Sequence, residues 1–173
     1  ALACAKDAYV KAHEIDVKAT KTKDIAAGLE AISKKYYEDG MNAYMLGNLK
    51  EATVGFEKAA DAAATAPLSK IDSTSIYNAG YTAWAPQDYN RALTFFNKCL
   101  EVGYYYEGGE VFAKLADVYA KLDQKENSKK TLEQGFTKYP ESQSILIGLI
   151  NYYLENNEDP DKLFELIDHA KKN

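Results

Sequence analysis

Apolar residues recur along this chain at the spacing of an α-helix. Val111, Phe112, Leu115, Val118, Tyr119 and Leu122 fall on one helical face, and Ile145, Leu146, Leu149, Ile150, Tyr153 and Leu154 on another. No comparable stretch alternates as a strand does, so the pattern predicts an all-α fold. The four prolines, Pro67, Pro86, Pro140 and Pro160, each stand where a periodic segment has just stopped, the place where a missing N–H does least damage. Short polar links at Gly47-Asn48, Pro86-Gln87-Asp88, Asp123-Gln124 and Asn156-Asn157 predict turns that fold one helix back against the last. Upstream, Ala3 to Thr20 reads as one helix with Ala8, Tyr9, Ala12 and Ile15 on a face, and Asp24 is placed to cap a second that runs on into the following segment.

Superposing small residues exposes a repeat. Gly40 is followed by Ala52, Phe56 and Ala59; Gly80 is followed at the same intervals by Ala92, Phe96 and Cys99. A third copy runs Phe112, Leu115, Ala116, Tyr119, Ser128, Leu132, Gly135 and Pro140, and a fourth begins Leu146, Leu149, Ile150, Tyr153 and continues, one residue late, at Leu163, Ile167 and Ala170. The segments Phe112-x2-Leu115-Ala116-x2-Tyr119, Ala52-x3-Phe56 and Ala92-x3-Phe96 resemble the tetratricopeptide repeat. Separations of 40 residues from Gly40 to Gly80 and 36 from Gly80 to Ala116 exceed that family's period of about 34, so linkers are expected at Ala66 to Asp72 and Tyr104 to Gly109. The resemblance implies a right-handed superhelical solenoid of antiparallel helix pairs: capping helices over 1–32, then an array over 33–173 with repeats at about 33–66, 73–106, 109–142 and 143–173. A solenoid's first face needs cover, which is the role expected of the leading helices.

The resemblance also implies a binding face. In this family the helix A side chains three before, one after, four after and five after the small residue line a concave groove. Counted from Gly40 they are Tyr37, Met41, Tyr44 and Met45; from Gly80 they are Tyr77, Tyr81, Trp84 and Ala85. From Ala116 they are Ala113, Asp117, Ala120 and Lys121, and from Ile150 they are Ile147, Asn151, Leu154 and Glu155. The first half is aromatic and the second smaller and more polar. Tyrosine and tryptophan join apolar area to a polar tip, which suits a recognition platform; packing against the N-terminal helices is the competing role. Members that clamp a terminal carboxylate use a lysine and asparagines at these positions. Tyr37 and Met41 stand there instead, and Lys34 and Asn151 alone do not rebuild the clamp.

Charge and chemistry narrow the partner. The net charge of −5, spread along the chain, lacks the basic stripe a nucleic acid requires. The longest uncharged apolar-rich run, Ser142 to Leu154, is too short to span a bilayer. Cys4 and Cys99 show no CxxC spacing, His13 and His169 lie at opposite ends amid charged residues, and Gly103, Gly108 and Gly109 form no phosphate loop. Glu155, Glu158, Asp159 and Asp161 miss the calcium-loop pattern and read as a solvated acidic loop. No cofactor, metal or catalysis is expected.

The reading is a scaffold that binds a peptide or partner protein in the aromatic groove, with a glycan-binding envelope protein as the alternative, since sugars also stack on such rings. Leu163, Phe164, Leu166 and Ile167 on the last helix have no following helix to cover them, so self-association through that end, or a longer natural chain, is expected. Ala1-Leu2-Ala3-Cys4 makes a poor lipoprotein box because Leu2 is misplaced for it. Residues alone leave localisation open; the leading helix pair resembles that of bacterial extracytoplasmic repeat proteins, which leans towards the periplasm or cell envelope.

Overall fold

A computed structural model describes residues 1–172, and among these the chain is all helical, with no strand. Asn173, the predicted end of the fourth repeat, lies outside them. The helices are α1 (Leu2–Ile15), α2 (Thr22–Met45), α3 (Leu49–Ala64), α4 (Ser73–Trp84), α5 (Tyr89–Glu101), α6 (Glu110–Lys121), α7 (Lys125–Lys138), α8 (Gln143–Asn156) and α9 (Pro160–Lys172), with a short 3-10 turn at Glu107–Gly109 before α6. They form two compact units, Ala1–Asp88 and the residues from Tyr89 on. The division falls inside the predicted 73–106 repeat, not between repeats.

In the first unit, α1 ends at Ile15, earlier than the predicted end at Thr20. The Asp16 carboxylate accepts hydrogen bonds from the backbone N–H of Thr20 at 2.9 Å and of Lys21 at 2.7 Å, which turns the chain at Ile15 and leaves Thr20 outside the helix. Asp24 sits within the first turn of α2 and does not cap it. The predicted boundary between cap and array at residues 32 and 33 falls within α2. The buried residues Ile25, Leu29, Ile32, Ser33 and Gly40 all lie on this one helix, and no proline interrupts it between Asp24 and Gly40.

Small residues let α2 and α3 come together. Gly55 approaches Gly40 closely: a Cβ added to Gly55 would stand 2.6 Å from the Gly40 Cα. Phe56, 1% exposed, fills the space beside the pair, and the Ser33 hydroxyl donates to the Ala59 carbonyl at 2.9 Å. The Thr53 hydroxyl donates to that of Thr82 at 2.9 Å, which donates in turn to the Asn78 carbonyl at 2.7 Å; the chain of bonds ties α3 to α4 without leaving a buried hydroxyl unmatched. Asp72 caps α4, accepting from the Ser75 N–H at 3.0 Å.

In the second unit Phe112, Ala116, Leu132, Ile145, Leu149, Tyr153 and Leu166 form the core. Gly109 has φ +78°, and a Cβ there would meet the Tyr139 ring at 2.4 Å; the entry to α6 therefore requires glycine for both backbone and space. The predicted solvated acidic loop is only partly so. Glu158 reaches back to α7, where Lys129 Nζ lies 2.6 Å from its carboxylate and 5.2 Å from the Tyr153 ring centroid. The uncovered face expected on α9 is also smaller. Leu166 is 2% exposed and Leu163 packs on the core, because α9 turns its apolar stripe inward; Phe164, 66% exposed, is what stays open.

Candidate functional site

The predicted aromatic positions fall on α2 and α4, both in the first unit. Four of their rings form a connected group. Tyr44 meets Tyr81 edge-on, with centroids 6.4 Å apart and planes at 67°. Tyr81 in turn lies 6.0 Å from Trp84 at 39° and 6.4 Å from Tyr77 at 28°. The stagger of α4 explains the group: positions 77, 81 and 84 are four and three residues apart, so one helical face carries all three.

Their exposure differs. Tyr44 is 41% and Met45 69% exposed, Tyr81, Trp84 and Met41 are half-buried, and Tyr77 at 6% belongs to the core. Tyr77 therefore acts as a backing on which Tyr81 stacks, and offers a ligand little surface. Tyr37 packs on Phe56, centroids 5.5 Å apart, and is half-buried between α2 and α3. The open face comprises Tyr44, Met45, Tyr81 and Trp84, continued past the helix end by Leu46, 76% exposed. Leu46 lies outside the helix A positions; the apolar run Tyr44-Met45-Leu46 before Gly47 is the signal that points to it.

The second unit gathers the polar predicted positions. Asp117 and Lys121 on α6 and Asn151 on α8 line one cleft of about 330 Å³, with Ala113, Ala120 and Glu155 beside them. Its floor is low because Gly148 has no side chain; a Cβ there would stand 2.7 Å from a Leu132 methyl. Ser128 also borders the cleft, but its hydroxyl donates to the Ala116 carbonyl at 2.8 Å and so closes the α6–α7 contact. Farther along α8, Ile147 and Leu154 are 57% and 54% exposed.

The residues considered for catalysis have structural surroundings. Cys99 is fully buried, and burial pushes its thiol up to about 12, so it stays protonated and packs as a small apolar group. The histidines are half-buried. His169 Nε2 is 2.9 Å from the Pro140 carbonyl, and its ring stands edge-on to Phe136 at 5.3 Å. Among the described residues no three His, Cys, Asp or Glu side chains are grouped to hold a metal ion.

Comparison with known proteins agrees with this architecture. A sequence profile of the tetratricopeptide repeat matches residues 73–102 and 109–137. No curated protein matches the chain. Among solved structures, a chain of the Sec complex from S. cerevisiae is 23% identical over 75% of this chain and 72% of its own, with a TM-score of 0.65. YrrB, described as a tetratricopeptide-repeat protein with an unusual peptide-binding site, is 20% identical over 97% of this chain and 75% of its own, TM-score 0.61. A double mutant of MamA RS-1 is 13% identical over 96% and 91%, TM-score 0.64. At these identities the likeness is one of fold. The two matched segments carry the tetratricopeptide repeat, a repeat of protein–protein interaction scaffolds, and the chain shares the fold of proteins built from it.

Proposed function

We propose that this chain is a non-catalytic scaffold that binds a peptide, or a peptide-like segment of a partner protein, across the aromatic face of α2 and α4. The observation that carries the reading is the Tyr44–Tyr81–Trp84 group, with ring centroids 6.4 and 6.0 Å apart, continued by Met45 and Leu46 at 69% and 76% exposure. Rings braced against each other lose little conformational freedom on binding, so apolar area buried there contributes to affinity with a small entropic cost. Methionine adapts to varied ligand shapes, which suits Met45 at the margin. YrrB, of similar fold, has a peptide-binding site by its description, which supports a peptide over other ligands.

Panning a peptide library against the full chain tests the reading. Enriched peptides should lose about tenfold or more in affinity on a Tyr44→Ala/Tyr81→Ala double variant that keeps the wild-type circular dichroism, a loss of about 1.4 kcal/mol. Equal binding to both proteins would move the ligand to another surface. In the second unit, Asp117, Lys121 and Asn151 form a separate candidate contact, since their cleft offers hydrogen-bond donors and acceptors above a floor of small residues.

A further inference from the structure

The second unit holds a cavity of about 430 Å³ between α5, the 104–109 linker, α6 and α7, within the size range of small-molecule sites. We infer that it binds a free carboxylic acid with an aliphatic body, the carboxylate held by Lys138 and Gln134 and the chain by Leu100, Tyr105 and Phe112. The site is separate from the α2–α4 face and stands whether or not that face binds a peptide.

The apolar lining is fixed before any ligand arrives. Phe112 is 2% exposed, Tyr105 stacks on it with centroids 5.3 Å apart and planes at 23°, and Leu100 and Tyr105 both pack against the core of the unit. Lys138 Nζ also lies 5.0 Å from the Tyr105 centroid. With Phe112 and Lys138 already on that ring, a flexible chain, which asks only for van der Waals contact, fits better than a planar ligand, which needs an open ring face.

The polar side belongs to α7. Gln134 and Lys138 are one turn apart and so share a helical face, and both line the cavity from exposed positions. Among the described residues Lys138 forms no ion pair and the Gln134 amide no hydrogen bond. The acids flanking Lys138 in sequence are engaged elsewhere: Glu133 accepts from the Tyr153 hydroxyl at 3.3 Å, and Glu141 lies 3.9 Å from His169 Nε2. Among the described residues lining the cavity none is acidic, so its charge is that of one ammonium, which a carboxylate complements and a cation does not. Resting over the Tyr105 ring, Lys138 has less rotamer freedom to lose on pairing than a lysine free in solvent.

A free acid suits the cavity better than a peptide's C-terminus. The Tyr105 carbonyl accepts from the Val111 N–H at 3.2 Å, and the Tyr139 N–H donates to the Gly135 carbonyl at 2.8 Å. The other lining residues are helical, so the walls offer a peptide chain few backbone partners.

Calorimetric titration of the full chain compares octanoate, butanoate, octan-1-ol and an acetylated tetrapeptide with a free C-terminal leucine carboxylate. Octanoate should bind saturably below its micelle concentration, about fivefold or more tighter than butanoate, since each buried methylene adds to affinity. It should also bind about threefold or more tighter than octan-1-ol, which lacks the charge. Lys138→Glu should weaken octanoate about fivefold or more and leave octan-1-ol unchanged, while Lys138→Arg retains octanoate binding. Lys138 also stands in the last turn of α7, where a cation offsets the carbonyl end of the helix; that role alone would lower the melting temperature of Lys138→Glu without changing the ranking of the ligands. Octan-1-ol bound as tightly as octanoate, or octanoate indifferent to Lys138→Glu, overturns the carboxylate. Butanoate bound as tightly as octanoate overturns the hold on the chain, and a tetrapeptide bound tighter than octanoate replaces the free acid with a protein terminus. No binding by any probe overturns the site, and none of these outcomes bears on the α2–α4 face.

Discussion

Gly55 faces Gly40 across the α2–α3 contact so closely that a Cβ on Gly55 would stand 2.6 Å from the Gly40 Cα and 2.7 Å from its nitrogen. Both obstacles are backbone, so no side-chain rotation relieves them. Gly55→Ala should therefore destabilise the chain by about 1–3 kcal/mol, despite the better helix propensity of alanine. Gly40→Ala should cost less, because its Cβ would meet Phe56 at 3.1 Å or more, a contact that a few tenths of an ångström relieves. Urea melts of the two variants check the order; a Gly55→Ala protein as stable as wild type would contradict the close approach.

A second glycine sets the seat of α1. A Cβ on Gly28 would lie 2.2 Å from the Tyr9 ring, and Tyr9 is the aromatic residue by which α1 rests on α2. The ring, not the backbone, is in the way, so Gly28→Ala should displace α1 and leave α2–α4 folded. Hydrogen exchange should then quicken through Leu2–Ile15 while the amides around Phe56 and Ile76 keep their protection. Loss of protection throughout the first unit would show α1 to be integral to that fold.

These two glycines mark what the sequence conveys. Helix periodicity and turn chemistry are legible because they are local. Gly47, Asp123 and Asn157 have φ of +77°, +58° and +50°, and all three belong to residue types that tolerate it. The linkers at 66–72 and 104–109 were likewise legible from the excess over the repeat period. Partners distant in sequence are not. Tyr37 and Tyr77 hold the same repeat position, but which helix covers each depends on packing, and both have less open surface than Tyr44. Glu158 looks solvated until α7 brings Lys129 beside it. Asp16 ends α1 short of the predicted Thr20, because a side chain captures two backbone N–H groups there.

Glu158 and Lys129 should make stability depend on pH at both extremes. The Lys129 hydrogen bond holds the Glu158 carboxyl below its ordinary value of 4.5. That contribution is present above pH 4.5 and is lost as pH falls through the lower, folded-state value. Its carboxylate partner in turn raises Lys129 above 10.5, so the lysine's contribution is full below pH 10.5 and is lost as pH rises past the folded-state value. Burial raises Tyr152 and Tyr153 above 10.0, which adds to the alkaline loss, since both must ionise on unfolding before they do when folded. Wild type should exceed Glu158→Gln in melting temperature near pH 7, and the gap should close towards pH 3. A gap of constant size would mean that the carboxylate's charge is immaterial.

The two cysteines should separate completely by reactivity. Cys4 is exposed and Cys99 buried, neither in a disulfide. Burial holds the Cys99 thiol at about 12, and alkylation proceeds through the thiolate, so access and ionisation act in the same direction. Treating the native chain with iodoacetamide at about pH 8, near the ordinary thiol value, should add one label, mapped to Cys4 by mass spectrometry. A denatured chain should take two. Label on native Cys99 at a rate close to that of Cys4 would require α5 to open on the timescale of the reaction; slow labelling that accelerates with urea would instead track local unfolding. Cys99→Ala should leave native labelling unchanged and destabilise the chain modestly, by about 1 kcal/mol for the buried sulfur it removes.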